Sequence, residues 1–150
     1  MIQRIQTLYL LGIAGIIFVC FYFPMAEFSN ISGPADWYLL SGLRNGKAGD
    51  GFSGVITFLS GLAVGVSISN IFVFKNRKRQ MLFCLVLIGI LILINILTFV
   101  QIGMLKSELN MLVSLKVPSV FPLIGAVLAF MAYRAIKKDE DLVKSYDRLR

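Results

Sequence analysis

The sequence contains no histidine and only two cysteines, Cys20 and Cys84. Imidazole-based general acid–base chemistry is therefore absent, and the cysteines cannot supply a structural zinc site or a disulfide framework, both of which need more ligands at set spacings. Neither cysteine stands in a Cys-x-x-Cys pair, so the dithiol chemistry of thiol oxidases has no carrier. At helical rise the two are predicted to differ in depth by on the order of 20 Å, well beyond the reach of one disulfide.

Charge is also scarce. Only 15% of the 150 residues are charged, against roughly 25% in soluble domains, and 57% are hydrophobic. With a mean hydropathy of +0.81, the chain reads as one small integral membrane protein. Four long apolar stretches stand out: residues 5–26, 52–74 and 80–105 carry no charge, and 117–136 is uncharged as far as Tyr133, with Arg134 near its end. Each is long enough to cross hydrocarbon, which takes roughly 20 helical residues. The first is too long for the apolar core of a signal peptide, and Phe23-Pro24-Met25-Ala26 is a poor cleavage site, so it is expected to remain as a transmembrane helix. The predicted fold is an all-α membrane protein: a four-transmembrane-helix bundle with a compact external loop over 27–51, compatible with a short β-hairpin, and a cytoplasmic helical tail over 137–150.

The basic residues orient this bundle. With both termini cytoplasmic, the inside holds Arg4, Lys75, Arg77, Lys78, Arg79, Arg134, Lys137, Lys138, Lys144, Arg148 and Arg150. The outside keeps Arg44, Lys47, Lys106 and Lys116, balanced by Glu27, Asp36, Asp50 and Glu108, so the formal net charge of +7 lies on the inner side. That is the positive-inside bias. The run Lys75, Arg77, Lys78 and Arg79 is accordingly read as a topology signal meeting lipid headgroups; no nucleic-acid module accompanies it.

No acid or base lies within the uncharged spans, which argues against proton-coupled transport. Asn70, Asn95 and Gln101 are the strongest polar groups there, and amides in lipid usually hydrogen-bond between helices; a hydrated path is the rival reading. In the second span Ser53, Thr57, Gly61, Gly65 and Ser69 recur every four residues, predicting close approach of another helix backbone. The neighbour is expected within the bundle, at Gly125 and Ala129 of the fourth span, with homodimerisation or docking to another protein as the alternative.

In the external loop, Trp37-Tyr38-Leu39-Leu40 suits a short strand or an interfacial helix, and Asn45-Gly46 suits a turn. The stretch Gly42–Ala48 departs from a phosphate loop, with one residue too few between its glycines and Ala48 where a hydroxyl is needed. Asn30-Ile31-Ser32 matches a glycosylation acceptor only as any three-residue pattern can by chance.

The N-terminal MIQRIQTLYLL and the C-terminal YRAIKKDEDLVKSYDRLR resemble a Bacteroidota family of small four-span membrane proteins, domain of unknown function 4293, over the whole chain. The resemblance implies a bacterial inner-membrane protein. It implies no activity and supplies no catalytic residues.

The charged tail carries an apolar stripe. On a helical wheel Ile136, Leu142, Val143, Tyr146 and Leu149 share one side, with Glu140 and Lys144 paired on the other. Its cations and anions nearly cancel, so a protein surface suits it better than an anionic membrane. The chain offers packing strips and a docking helix but no reactive constellation, no cofactor motif and no metal ligands. A non-catalytic accessory or assembly subunit, bound to another membrane protein or to copies of itself, is the expectation; a small oligomeric channel or carrier is the alternative.

Overall fold

The computed structural model describes residues 3–29, 35–44, 50–73 and 76–148. Four helices make up most of it: α1 (Gln3–Tyr22), α2 (Asp50–Phe72), α3 (Arg77–Leu109) and α4 (Phe121–Arg148). All four are long and apolar enough to cross a membrane. They alternate in direction, and the main contacts run α1 to α2, α2 to α3, α3 to α4 and α4 back to α1, closing a ring.

The boundaries follow local chemistry. The first helix stops at Tyr22 rather than at residue 26, because Pro24 lacks the N–H that another turn would need. Asn76 caps α3, accepting from the Arg79 N–H at 3.4 Å, so Arg77, Lys78 and Arg79 form its first turn. Cations at a helix N-terminus oppose the macrodipole, so the charge run is placed here against local helix preference. At its other end α3 stops at Asn110, whose left-handed backbone (φ 49°) lets the chain leave the helix.

Beyond the helix ends the chain forms more sheet than a hairpin. Strands β1 (Ala26–Ser29), β2 (Asp36–Leu39), β3 (Gly42–Leu43) and β4 (Leu112–Leu115) pair antiparallel in the order β3-β2-β1-β4. Three strands come from the α1–α2 connection, but β4 comes from the α3–α4 connection, pairing Ala26 with Leu115 and Ser29 with Leu112. Both connections at this end are thus one structure. Trp37, Tyr38 and Leu39 lie in β2, which settles strand over interfacial helix. The Asn45-Gly46 turn, the Asn30-Ile31-Ser32 triplet and most of Gly42–Ala48 lie outside the described residues.

The sheet rests one face on the bundle. Ala26, Phe28 and Tyr38 project from that face and are fully buried in the same core cluster as Ile17, Ile56 and Ile94. Gly42 ties the sheet to α2: its φ is +116°, and a Cβ there would lie 3.1 Å from that of Ser53, so both backbone and space call for glycine. On the opposite face Lys116 pairs with Glu27 at 2.6 Å, and Arg44 stacks over Trp37 at 5.5 Å.

Buried positions along the helices recur at alternating three- and four-residue steps. In α2 they are Ser53, Ile56, Ser60, Ala63, Ser67 and Asn70; in α1, Gln6, Leu10, Ile13, Ile17 and Cys20. This corrects the partner expected within the bundle for the four-residue strip. Of its members only Ser53 is fully buried; Gly61, Gly65 and Ser69 face outward, and a methyl added at either glycine meets nothing within 4 Å. The reason is geometric: four residues advance about 400°, so an i+4 strip drifts around the helix, while seven advance about 700° and stay on one face. Gly125 does lie against neighbours, but these are Leu91 of α3 and Ile13 of α1, not α2.

Tyr38 is fully buried, and its hydroxyl has no hydrogen-bond partner among the described residues. Burial pushes the phenol up to about 12, keeping it neutral. An unpartnered buried hydroxyl costs about 1–3 kcal/mol, whereas the ring fills core volume. Tyr38→Phe should therefore raise or leave unchanged the thermal midpoint in detergent, and Tyr38→Ala should lower it sharply. A marked loss for the Phe variant would mean the hydroxyl is engaged.

Candidate functional site: the polar ring and the projecting end of α4

Opposite the sheet, each helix turns one polar side chain inward. Gln6 of α1, Asn70 of α2, Gln80 of α3 and Glu140 of α4 are all buried at this end. Asn70 Nδ2 donates to Cys84 Sγ at 3.3 Å, and Gln80 Nε2 donates to the Asn70 carbonyl at 3.4 Å, tying α2 to α3 across their tight connection. Gln6 Nε2 donates to Asp139 Oδ2 at 3.0 Å, and Arg77 Nη1 donates to the Asp139 carbonyl at 3.0 Å. Asp139 thus joins α1, α3 and α4. Between these groups lies a cavity of about 20 Å³ lined by Gln6, Thr7, Ile71, Arg77, Gln80, Ile136 and Asp139, room for about one water.

The anchors brace α4 as it leaves the bundle. At 28 residues α4 is about 42 Å long, more than the roughly 30 Å hydrocarbon core needs. Its packed face continues from Ala129 and Ala132 through Ile136 to Glu140. Glu140, expected on the solvated side, is therefore inside, because the bundle's repeat carries the contact face one turn past Ile136. Leu142 and Val143 are 44% and 45% exposed. The stripe accordingly splits: Ile136 packs inward, and Leu142 and Val143 face out. The side chain of Tyr146 and all of Leu149 lie outside the described residues. So does Lys75; Lys78 and Arg79 are exposed, and Arg77 is the member of that run drawn into the structure.

The amides singled out in the spans all point into the bundle or its seams. Asn70 is fully buried. Asn95 Nδ2 donates to the Ser119 carbonyl at 3.1 Å, satisfying the 3-10 turn Val117–Val120 that leads into α4. Gln101 is buried, with its Oε1 unpartnered among the described residues. A pocket between Ile17, Leu40, Ser60, Leu91 and Ile94 has no room for water. Cys20 and Cys84 are both free and buried. Among the described residues no three Cys, Asp or Glu side chains come together as a metal site.

A family model for a domain of unknown function, DUF4293, matches residues 2–149. The chain belongs to this family. No curated protein and no solved structure matches it. For this DUF4293 protein, function rests on its own geometry, and the polar ring with the helix it braces is the most elaborated part.

Removing the Gln6 amide leaves the half-buried Asp139 carboxylate without that donor, at a cost of about 1.5–3 kcal/mol for a hydrogen bond to a charged group. Gln6→Ala should lower the thermal midpoint and speed hydrogen exchange of α4 amides from Asp139 onward, while amides near Ala129 keep their protection. Unchanged exchange past Asp139 would separate Gln6 from the bracing of α4.

Proposed function

We propose that this protein is a non-catalytic accessory or assembly subunit of a larger complex in a bacterial inner membrane, with both termini cytoplasmic. The observation that carries this reading is the projecting end of α4, a helix held by Gln6 and Arg77 yet presenting Leu142 and Val143 uncovered. A braced helix with an exposed apolar stripe suits helix-in-groove recognition, because little conformational entropy is left to lose on docking. Beside Leu142 the same open side of α4 carries Phe130, Tyr133, Arg134, Lys138 and Asp141, which offer apolar and charged contacts together.

The orientation rests on the basic residues. Arg77, Lys78, Arg79, Arg134, Lys137 and Lys138 cluster at the tail end, while Lys116 at the sheet end is neutralised by Glu27. A channel or carrier draws less support, since Asn70 and Asn95 are engaged in contacts between helices, the pocket between Ile17, Leu91 and Ile94 has no room for water, and the polar cavity beside Asp139 holds about one.

Purification in mild detergent should yield a stoichiometric partner. Replacing Leu142 and Val143 together by Ser should remove that partner without affecting insertion, since burial of such side chains contributes about 1.5–3 kcal/mol each. Retention of the partner by the variant contradicts the docking role. In a background lacking Cys20 and Cys84, a cysteine at Ser29 should react with an impermeant thiol reagent on intact cells and one at Ser145 should not; the reverse pattern overturns the orientation.

A further inference from the structure

The charges near the end of α4 nearly cancel along the sequence, but the fold sorts them by face. Glu140 is buried, and half-buried Asp139 is turned inward, where Gln6 and Arg77 hold it. Arg134, Lys137, Lys138 and Asp141 are exposed. The outward side of this segment therefore carries three cations against one anion, and Asp141 stands about a turn farther from the apolar span than Lys137 and Lys138. A neutral total conceals a helix with acids on its inner side and bases on its outer one.

Below these cations the same side of the helix is bare and apolar. At 100° per residue Leu123, Val127, Phe130, Arg134 and Lys138 fall within about 80°, opposite the buried Ala129, Ala132 and Ile136. Leu123, Val127 and Phe130 are all exposed, so in a membrane acyl chains cover them. Arg134 and Lys138 continue that line just beyond Tyr133, where the uncharged stretch ends. The bond from Arg77 to the Asp139 carbonyl brings the first turn of α3 to the same level, so the exposed Lys78 and Arg79 join the band. Among the described residues no ion pair engages any of these five cations.

We propose that Arg134, Lys137 and Lys138 form a headgroup site for an anionic phospholipid, whose phosphate meets the cations while its acyl chains lie along Phe130, Val127 and Leu123. A phospholipid joins a phosphate to long apolar chains, and this face presents its groups in the matching order. Long basic side chains reach the headgroup while their stems stay against the apolar layer. An acidic soluble protein answers the charge but leaves the apolar line beneath it uncovered. Preference for a protein surface is thereby confined to Leu142 and Val143, which lie beyond the band. The inference rests on the membrane-spanning part of the proposed function and not on the docking of Leu142 and Val143.

Brominated lipids quench tryptophan only at close contact, so they report which lipid occupies a face. The purified full chain, with Trp37→Phe and Phe130→Trp, is reconstituted in vesicles of equal parts phosphatidylglycerol and phosphatidylcholine, with bromine on one lipid or on the other. Position 130 should favour phosphatidylglycerol by at least about fivefold, the factor expected for one cation near a charged headgroup. The preference should vanish when Arg134, Lys137 and Lys138 are all replaced by Gln. It should also be absent for a tryptophan placed instead at Leu123, about two turns deeper on the same face. Equal quenching by the two lipids at position 130, or the same preference at position 123, would overturn the proposal. If the triple variant keeps its lipid preference and instead loses a co-purifying protein, the cations belong to a protein contact and the lipid site is wrong. Quenching by neither lipid would deny the span itself, and with it the reading on which the site rests.

Discussion

Helices in hydrocarbon cannot find one another by shedding water, because lipid is as apolar as their side chains; close fit and interhelical hydrogen bonds must decide their pairing. The buried face of α2 has the small residues and the interhelical bond that such packing requires. Ser53, Ser60 and Ser67 stand seven residues apart on its buried face, small enough to admit neighbours closely. Ser67 Oγ donates to the Leu10 carbonyl of α1 at 2.7 Å, and Ser60 Oγ donates to its own helix at Ile56. Alternating with Ile56 and Ala63, these serines give α2 a narrow inward stripe. With α2 set in this way, α1 and α3 take their places on either side, and α4 closes the ring.

The two ends of the bundle then solve different problems. At one end, four chain segments emerge; pairing β1 with both β2 and β4 satisfies the backbone groups between these strands, and Phe28 and Tyr38 are buried in the core. At the other end the connection between α2 and α3 is too short for a cap of that kind. The helices there carry their own polar ring, and Arg77 and Gln6 converge on Asp139 to hold α4 beyond the last contact of the apolar core. One end is a platform and the other a projecting rod, and both leave specific apolar groups uncovered.

Much of this was legible from residues alone. Long apolar runs marked the four helices, although the first stops at Tyr22 and not at residue 26, and of the five tail positions expected on one stripe Leu142 and Val143 face outward while Ile136 packs inward. The sheet was half legible. Trp37-Tyr38-Leu39 reads as β material, but Leu112–Leu115 is four residues long and pairs with β1 more than eighty positions earlier, a relation no local pattern encodes. Gly61 and Gly65 turn outward, so the partner expected for them inside the bundle is not there; the seven-residue serine spacing was in the sequence and is the better signal for left-handed packing within the bundle. Glu140 was misplaced for a related reason. Its charge suggested solvent, whereas three- and four-residue steps from Ala129, Ala132 and Ile136 lead to it directly.

The packing of α2 turns on which of its faces is inside. Thermal unfolding of the purified chain in detergent, with leucine placed at Ser67 or at Gly65, compares the two faces within one helix. Leucine at position 67 loses the bond to Leu10 and overfills a closed seam, which together should cost about 2–4 kcal/mol and lower the midpoint markedly. Leucine at position 65 projects into open space and should leave it within a degree or two of wild type. A large loss at 65 with little at 67 would contradict the serine seam and restore the glycine strip as the packing face.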